Sequence, residues 1–297
     1  MLSNGVKIPS IGFGTWQIPN GEIACNAVTF ALQNGYRLID TAHTYGNEQS
    51  VGRAILDSGI NRSEIFVTSK LPADIKNYKD AAESFNKTLE ALGLTYIDLY
   101  LIHAPWPWKR KGYDYSEQNS DVWKAMEEVY KSGSCRAIGV SNFGISDLKA
   151  ILKNCSVKPM VNQISYFVGN TQKELTYFCQ QNDILVEGYS PLATGAVLNN
   201  KHVLAIAEKY KTTLPKICIR YVLQKGVVPL PKSINPEHIK QNFDIDFEIA
   251  PKDMEYLDSL NSTIKGMQLS KIKGCLRKWM IAIDVTLQKM NILPRQK

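Results

Sequence analysis

Four titratable residues, Asp40, Tyr45, Lys70 and His103, lie at or just after short apolar runs of the chain. A tyrosine hydroxyl with a pKa of about 10 is a poor acid at neutral pH. A Lys70 ammonium beside Tyr45 would lower that pKa toward a working range, and Asp40 would balance the Lys70 charge and hold its side chain. His103 can donate or accept a hydrogen bond at a reacting oxygen. The set predicts a site that delivers a proton to an oxygen as negative charge grows on it.

Each of these residues has a more ordinary interpretation when it is taken alone: a solvated lysine, a helix-capping aspartate, a packed histidine or tyrosine. Together they favour a functional site, because burying four titratable groups in one place without partners would be costly. Reduction of a carbonyl requires such a proton donor. The hydride for that reaction must come from a cofactor, since no side chain supplies one.

The elements that must position these residues alternate eight times along the chain. Each short apolar or β-branched run precedes a polar segment and a longer amphipathic stretch, which is typical of strands buried on both faces. Eight such units predict a (β/α)8 TIM barrel, with chemistry at the carboxyl ends of the strands. The predicted strands are Ile11–Phe13, Tyr36–Asp40, Ile65–Ser69, Ile97–Ile102, Arg136–Val140, Met160–Ile164, Ile184–Glu187 and Val227–Leu230.

Helical spacing of apolar residues, often ended by glycine, predicts seven helices between the strands. They are Ile23–Asn34, Asn47–Ser58, Lys79–Leu92, Asp121–Lys131, Thr171–Gln181, His202–Tyr210 and Leu214–Leu223. Residues 1–10, with Asn4-Gly5 between Leu2 and Val6, predict a β-hairpin at the barrel bottom. Ala104–Ser120 is the longest predicted loop, and its tryptophans favour a binding role. We expect a single barrel domain over residues 1–265 and a C-terminal helical extension over 266–297.

Composition excludes several classes of protein. The net charge of +7 arises from 35 basic and 28 acidic residues without a dense basic block, so we expect no nucleic-acid partner. Six widely spaced cysteines suit a reducing compartment. We expect no signal peptide, because residues 1–5 lack a charged and an apolar region, and we find no apolar run long enough to span a membrane and no metal-ligand spacing. We therefore expect a cytoplasmic protein, a monomer or weak homodimer, without a metal.

Three motifs in order along the chain resemble the signatures of the aldo-keto reductase family. The first is Gly35–Ala42 followed by Glu48 and Val51-Gly52, and the second is Arg136–Phe143. The third is Leu230–Ser233 with Gln241-Asn242. The resemblance covers about residues 2–262 and implies the same barrel. Within the family, the chain resembles the prokaryotic-type reductases of 2,5-diketo-gluconate, methylglyoxal and aldoses.

The resemblance implies a role for each matching residue. Tyr45 would be the general acid, tuned by Lys70 and Asp40, and His103 would orient a small aldehyde or ketone. The implied cofactor is NADPH or NADP+, with its carboxamide held by Ser141, Asn142 and Gln163 and its ring stacked on Tyr189. The rest of the cofactor groove is assigned to Thr15, Trp16, Asp40, Ser190, Leu192, Lys232, Ser233, His238, Gln241 and Asn242. Trp16, Tyr45 and His103 would also contact the substrate.

Two departures from the family pattern affect these assignments. His238 stands where the family has an arginine that grips the 2′-phosphate of NADPH, so we expect weaker discrimination against NADH and some use of it. Ala104 stands where many relatives carry tryptophan. Trp106 or Trp108 could supply the missing aromatic wall, and we include Trp106 among the substrate-binding residues. Alternatively, both tryptophans only anchor the loop on the barrel rim.

Two questions stay open at the level of sequence. The alternatives to a reductase are a non-catalytic, cofactor-sensing regulatory subunit and a structural or storage protein on the same fold. The apolar residues of the C-terminal extension recur at helical spacing with basic residues opposite. That extension could pack on its own barrel, mediate self-association or lie on a membrane surface.

Overall fold

Eight parallel strands form one sheet in sequential order in the computed structural model, which describes residues 1–260. Each strand pairs with the next one along the chain. Gly12 N donates to Pro229 O at 3.0 Å and Gly14 N to Pro231 O at 2.9 Å, so the last strand also meets the first. The predicted (β/α)8 barrel is confirmed. The strands are β1 Phe13–Gly14, β2 Leu38–Asp40, β3 Phe66–Leu71, β4 Leu99–Ile102, β5 Ile138–Ser141, β6 Val161–Ser165, β7 Leu185–Tyr189 and β8 Val228–Leu230.

Ten α-helices cover the sheet within the described part of the chain. They are α1 Glu22–Gln33, α2 Glu48–Asp57, α3 Tyr78–Leu92, α4 Ser116–Lys131, α5 Ile145–Asn154, α6 Lys173–Gln181, α7 Lys201–Lys209, α8 Leu214–Gln224, α9 Pro236–Phe243 and α10 Pro251–Ser259. All seven predicted helices are present, and α5, α9 and α10 were not predicted. Helix α4 begins at Ser116, five residues earlier than predicted, which shortens the loop after β4.

The N-terminal segment closes the barrel bottom without forming the predicted β-hairpin. Leu2 N donates to Val6 O and Gly5 N to Leu2 O, both at 2.9 Å, but no strand forms in residues 1–10. The predicted hairpin is absent because the two arms of this turn are too short to form a ladder of β-sheet hydrogen bonds. Leu2 is only 3% exposed and packs against the apolar residues at the bottom of the barrel.

The barrel interior changes from apolar to polar along the strands. Side chains on one face of a strand recur every second residue. In β3 this face carries Phe66, which belongs to the bottom apolar cluster, then Thr68 and then Lys70. In β2 it carries Leu38 and then Asp40. The apolar layer excludes water from below, and the polar layer faces the mouth formed by the carboxyl ends of the strands.

Some predictions fall outside the described residues. The last five positions of the predicted domain 1–265 and the whole extension 266–297 lie there. Within residues 1–260, none of the helices is long and apolar enough to cross a membrane. The five cysteines in this range are free thiols.

Candidate active site

Lys70 is the centre of the polar layer. Its side chain is fully buried, and Nζ donates to the two Asp40 carboxylate oxygens at 2.8 and 2.7 Å. Nζ also lies 2.9 Å from Thr41 O and 3.4 Å from the Tyr45 hydroxyl. Burial by itself lowers the pKa of Lys70, but the charges of Asp40, Tyr45 and Glu187 and the hydrogen bond to Asp40 together outweigh that effect and raise the pKa above its usual value. Lys70 is therefore a fixed ammonium beside the phenol.

Tyr45 lies on a short 3₁₀ turn, His43–Tyr45, that is braced against β3. The carboxylate of Glu48 makes this brace. Its Oε2 lies 2.8 Å from His43 Nδ1 in the turn, and its Oε1 accepts from Ser69 Oγ at 2.6 Å. Ser69 directly precedes Lys70 in β3. Glu48 thus ties the segment that carries the phenol to the strand that carries the ammonium.

The expected net lowering of the Tyr45 pKa is wrong. Burial raises the pKa above its ordinary value, the Lys70 ammonium offsets part of that rise, and the Asp40 charge works against Lys70. Tyr45 is therefore protonated at neutral pH. An ammonium in this position can stabilise negative charge on the phenol oxygen.

His103 lies next to Tyr45 at the end of β4. Their rings meet edge to face with centroids 5.6 Å apart, and His103 Nδ1 lies 3.2 Å from Thr44 Oγ1. Burial, reinforced by the Lys70 charge, lowers the pKa of His103 to about 3. The imidazole is therefore neutral at physiological pH. It can donate or accept one hydrogen bond at the mouth but cannot be the proton source there.

Polar groups from β5, β6 and β7 meet on the other side of Asp40. Gln163 Nε2 donates to Asp40 Oδ2 at 2.8 Å, and Ser141 Oγ donates to Gln163 O at 2.9 Å. Asn142 Nδ2 donates to His103 O at 2.9 Å, while Asn142 Oδ1 accepts from the Tyr189 hydroxyl at 2.7 Å. Four of the predicted cofactor residues thus form one hydrogen-bonded group with the predicted catalytic residues.

The tryptophans of the loop after β4 extend this cluster outward. The Trp108 ring lies edge-on to His103 at 5.4 Å, and Trp106 lies edge-on to Trp108 at 5.3 Å. Lys111 Nζ lies 5.4 Å from the centroid of the Trp106 ring. An aromatic series therefore leads from Tyr45 through His103 to the outside, and Trp108, 44% exposed, is its member next to His103.

The same loop is clamped at both ends by one lysine. Lys76 Nζ donates to Ala104 O and to Asn119 Oδ1, each at 2.9 Å, and Asn119 Nδ2 donates to Pro105 O at 2.8 Å. Ala104 and Pro105 follow His103 directly, and Asn119 lies in the first turn of α4. The clamp fixes the start and end of the loop next to the mouth.

The remaining predicted residues follow β1, β7 and β8 along the chain or lie in α9. Thr15 is buried and its Oγ1 donates to Asp40 O at 2.9 Å, which brings the start of the rim next to the cluster. Ser190 has a left-handed backbone with a φ of 53°. His238 is exposed in the first turn of α9, where its N–H is bound by the capping side chain of Asn235. Of the other predicted cofactor residues, Trp16 follows β1, Leu192 follows β7, Lys232 and Ser233 follow β8, and Gln241 and the buried Asn242 lie in α9.

Sequence reasoning did not single out Thr44, Lys76, Asn119 or Glu187. Glu187 lies in β7, opposite Gln163 in the sheet register, and is fully buried. A carboxylate that ends an apolar run was the available signal, because a strand buried on both faces should end in apolar residues. Across residues 1–260, no three His, Cys, Asp or Glu side chains are grouped as a metal site requires.

Comparison with known proteins now decides the family. The sequence profile of the Aldo/keto reductase family matches residues 10–262. The chain belongs to the aldo/keto reductase family. It is therefore an oxidoreductase by class, as the resemblance of its motifs implied.

Individual relatives agree with this assignment. A glyoxal reductase of Bacillus subtilis is 44% identical over 261 residues, which is 88% of this chain and 91% of that protein. A 9,11-endoperoxide prostaglandin H2 reductase of Trypanosoma cruzi is 41% identical over 88% of this chain and 90% of its own length.

Solved structures show the same fold. An aldo-keto reductase from a Medee basin deep-sea metagenome library has a TM-score of 0.83 and 42% identity, covering 89% of this chain and 95% of its own. The aldo-keto reductase of Bombyx mori, solved in complex with NADP, has a TM-score of 0.81 and 32% identity, covering 91% and 94%.

Proposed function

We propose that this protein reduces small aldehydes and ketones to alcohols with a reduced nicotinamide cofactor, and that Tyr45 is the general acid. The observation that carries the proposal is the contact between Tyr45 and Lys70 at 3.4 Å, with Lys70 paired to Asp40. A protonated phenol beside a permanent ammonium can give up its proton at low cost, because the ammonium stabilises the phenolate that remains.

Each residue of the cluster has a defined task in this proposal. Tyr45 Oη donates its proton to the carbonyl oxygen of the substrate. Lys70 stabilises the negative charge left on that phenol oxygen, and Asp40 keeps the Lys70 side chain in place. The neutral imidazole of His103 hydrogen-bonds the same carbonyl oxygen and orients it. Trp108 and Trp106 exclude water on the outer side.

The residues of β5 to β7 fit a nicotinamide. Its carboxamide carries both an N–H donor and a carbonyl acceptor, and Ser141, Asn142 and Gln163 present hydroxyl and amide groups that match such a group. Tyr189, tethered to Asn142, offers an aromatic face for the ring. When bound in reduced form, the cofactor supplies the hydride to the carbonyl carbon.

We propose NADPH as the main cofactor and NADH as a weaker one. Lys232 and Ser233 follow β8 on the rim and offer a cation and a hydroxyl to a 2′-phosphate. His238 cannot supply the planar, permanently charged fork of an arginine. The neighbouring Glu237 adds an exposed negative charge to the first turn of α9. Discrimination between the two cofactors should therefore be small.

The proposed substrates are small carbonyl compounds such as methylglyoxal, glyoxal and aromatic aldehydes. The similarity to a glyoxal reductase supports the dicarbonyls, and the aromatic series at the mouth supports the aromatic aldehydes. The free thiols of the described cysteines support a cytoplasmic location.

Turnover tests the proposal directly. Purified protein is mixed with NADPH and each aldehyde, and loss of the reduced cofactor is followed by absorbance. Tyr45→Phe should lower kcat by several orders of magnitude and leave NADPH affinity nearly unchanged, because the hydroxyl acts on the transition state. Tyr113→Phe is the matched control, since Tyr113 is an exposed tyrosine outside the cluster.

The result separates the alternatives. Near-parent activity of Tyr45→Phe would exclude Tyr45 as the acid. NADPH binding without turnover of any carbonyl compound would favour the cofactor-sensing subunit. A protein that neither binds NADPH nor turns over would favour a structural or storage role.

A further inference from the structure

Glu187 is a buried carboxylate without an evident structural purpose. It is fully buried in β7, and its Oε2 accepts from Gln163 Nε2 at 2.8 Å. Its Oε1 accepts no hydrogen bond from any group in the described part of the chain. A carboxylate in such a place costs stability, and an apolar residue could fill the same volume without that cost. The position therefore calls for a functional reason.

That reason lies in the amide of Gln163. Gln163 Nε2 donates to Asp40 Oδ2 at 2.8 Å and to Glu187 Oε2 at 2.8 Å. A primary amide nitrogen has two hydrogens, so the two carboxylates occupy both. When both carboxyl groups are ionised, turning the amide over would place its oxygen against two negative charges and would be strongly unfavourable. The amide is therefore fixed in one orientation.

A fixed amide offers only its oxygen to a ligand. With both N–H groups committed, Gln163 Oε1 can accept a hydrogen bond, but the side chain has no donor left. Asp40 would hold one N–H without help. Glu187 holds the second, which would otherwise be able to turn toward the mouth and bind an acceptor.

We propose that Glu187 is a positioning residue that commits Gln163 to act only as an acceptor, and so makes the site select a ligand carrying a carboxamide N–H. This inference rests on the proposed function, in which that ligand is the nicotinamide of NADPH. It assigns a role to a side chain that reaches the ligand only through Gln163. Hydrogen bonds connect Lys70 through Asp40 and Gln163 to Glu187. In this proposal, the Lys70 end of the series serves proton delivery and the Glu187 end serves cofactor selection.

The test compares two cofactors that differ in one group. NADPH carries a carboxamide, and its 3-acetylpyridine analogue carries an acetyl group that accepts hydrogen bonds but has no N–H. Dissociation constants are measured by quenching of tryptophan fluorescence, without turnover, at pH 8, where the Glu187 carboxyl is ionised. Wild type should prefer NADPH. Glu187→Leu should weaken NADPH binding about fivefold, the value of one hydrogen bond, and leave the analogue unchanged or tighter.

Four further variants test whether Glu187 acts through Gln163. In a Gln163→Leu background, Glu187→Leu should have almost no further effect, because the residue acts through Gln163. Glu187→Gln can still accept from Gln163 but does not force its orientation, so it should show an intermediate preference. Glu127→Gln is the matched control. This carboxylate is also buried but accepts from the backbone N–H groups of Ser156 and Val157, and its loss should leave the preference unchanged.

The outcomes distinguish this inference from the proposed function. Equal weakening of both cofactors by Glu187→Leu, or a wild type that binds both equally, would overturn the positioning role and leave the reductase assignment standing. A wild type that binds neither cofactor would overturn the proposed function itself. If Glu187→Leu does not fold, Glu187→Gln carries the test, and a preference equal to that of wild type would refute the inference.

Discussion

Replacing Glu187 by glutamine should stabilise the folded protein at high pH and weaken its binding of the cofactor. Burial, with repulsion from Asp40, raises the pKa of Glu187 from 4.5 to about 7. Below pH 4.5 the carboxyl is protonated in both the folded and the unfolded state, so its ionisation does not lower the free energy of unfolding. Between pH 4.5 and 7 the unfolded state ionises first, so wild type loses stability as the pH rises. Above pH 7 both states are ionised and the full cost, about 3 kcal/mol, remains.

Glutamine is neutral throughout this range and removes the pH-dependent cost. The free energy of unfolding of Glu187→Gln relative to wild type should therefore increase by about 2 to 3 kcal/mol between pH 5 and pH 8. Urea unfolding followed by tryptophan fluorescence measures this difference. Glu187→Leu should show the same pH-dependent gain, whatever its absolute stability. Wild-type and variant stabilities that run parallel from pH 5 to pH 8 would refute the reasoning.

Two further predictions concern the rim and the mouth. His238→Arg should raise the ratio of kcat/KM for NADPH over NADH, because a guanidinium fork can pair with a 2′-phosphate; a strongly NADPH-selective parent that the change leaves unaffected would contradict this view of position 238. Trp108→Ala should raise KM for aromatic aldehydes and leave the dissociation constant of NADPH unchanged, because the ring lies against His103, the proposed substrate-orienting residue. Equal KM values for parent and variant would show that Trp108 only anchors the loop.

The strands were predictable because parallel strands in a barrel are buried on both faces and appear as continuous apolar runs. The start of helix α4 could not be predicted from a pattern of apolar residues. Its first turn, Ser116 to Asn119, is polar, and its buried member is an asparagine that bonds Lys76 and Pro105. A pattern of apolar residues cannot detect a helix turn that is held by polar contacts. In α5, by contrast, the buried Leu148 and Ile151 have helical spacing, so that helix could have been predicted from its sequence.

The candidate site likewise has a part that the sequence predicts and a part that it does not predict. The motif residues could be identified from their order along the chain, and the structure brings Tyr45, Lys70, Asp40 and His103 into contact. The position of Glu187 opposite Gln163 depends on the register between β6 and β7, which no local pattern specifies. The net direction of the Tyr45 pKa depends on how burial, Lys70 and Asp40 balance, and that balance requires distances.

The lysine clamp on the loop after β4 makes the position of the backbone beside His103 independent of which residues the loop contains. Lys76 and Asn119 hold the loop at Ala104, Pro105 and the first turn of α4. The residues between those anchors can be replaced, shortened or recharged while the backbone beside His103 stays where it is. We therefore expect a protein carrying this clamp to tolerate changes in the loop without displacement of the proposed proton donor, so that foreign loops can be grafted between the same two points.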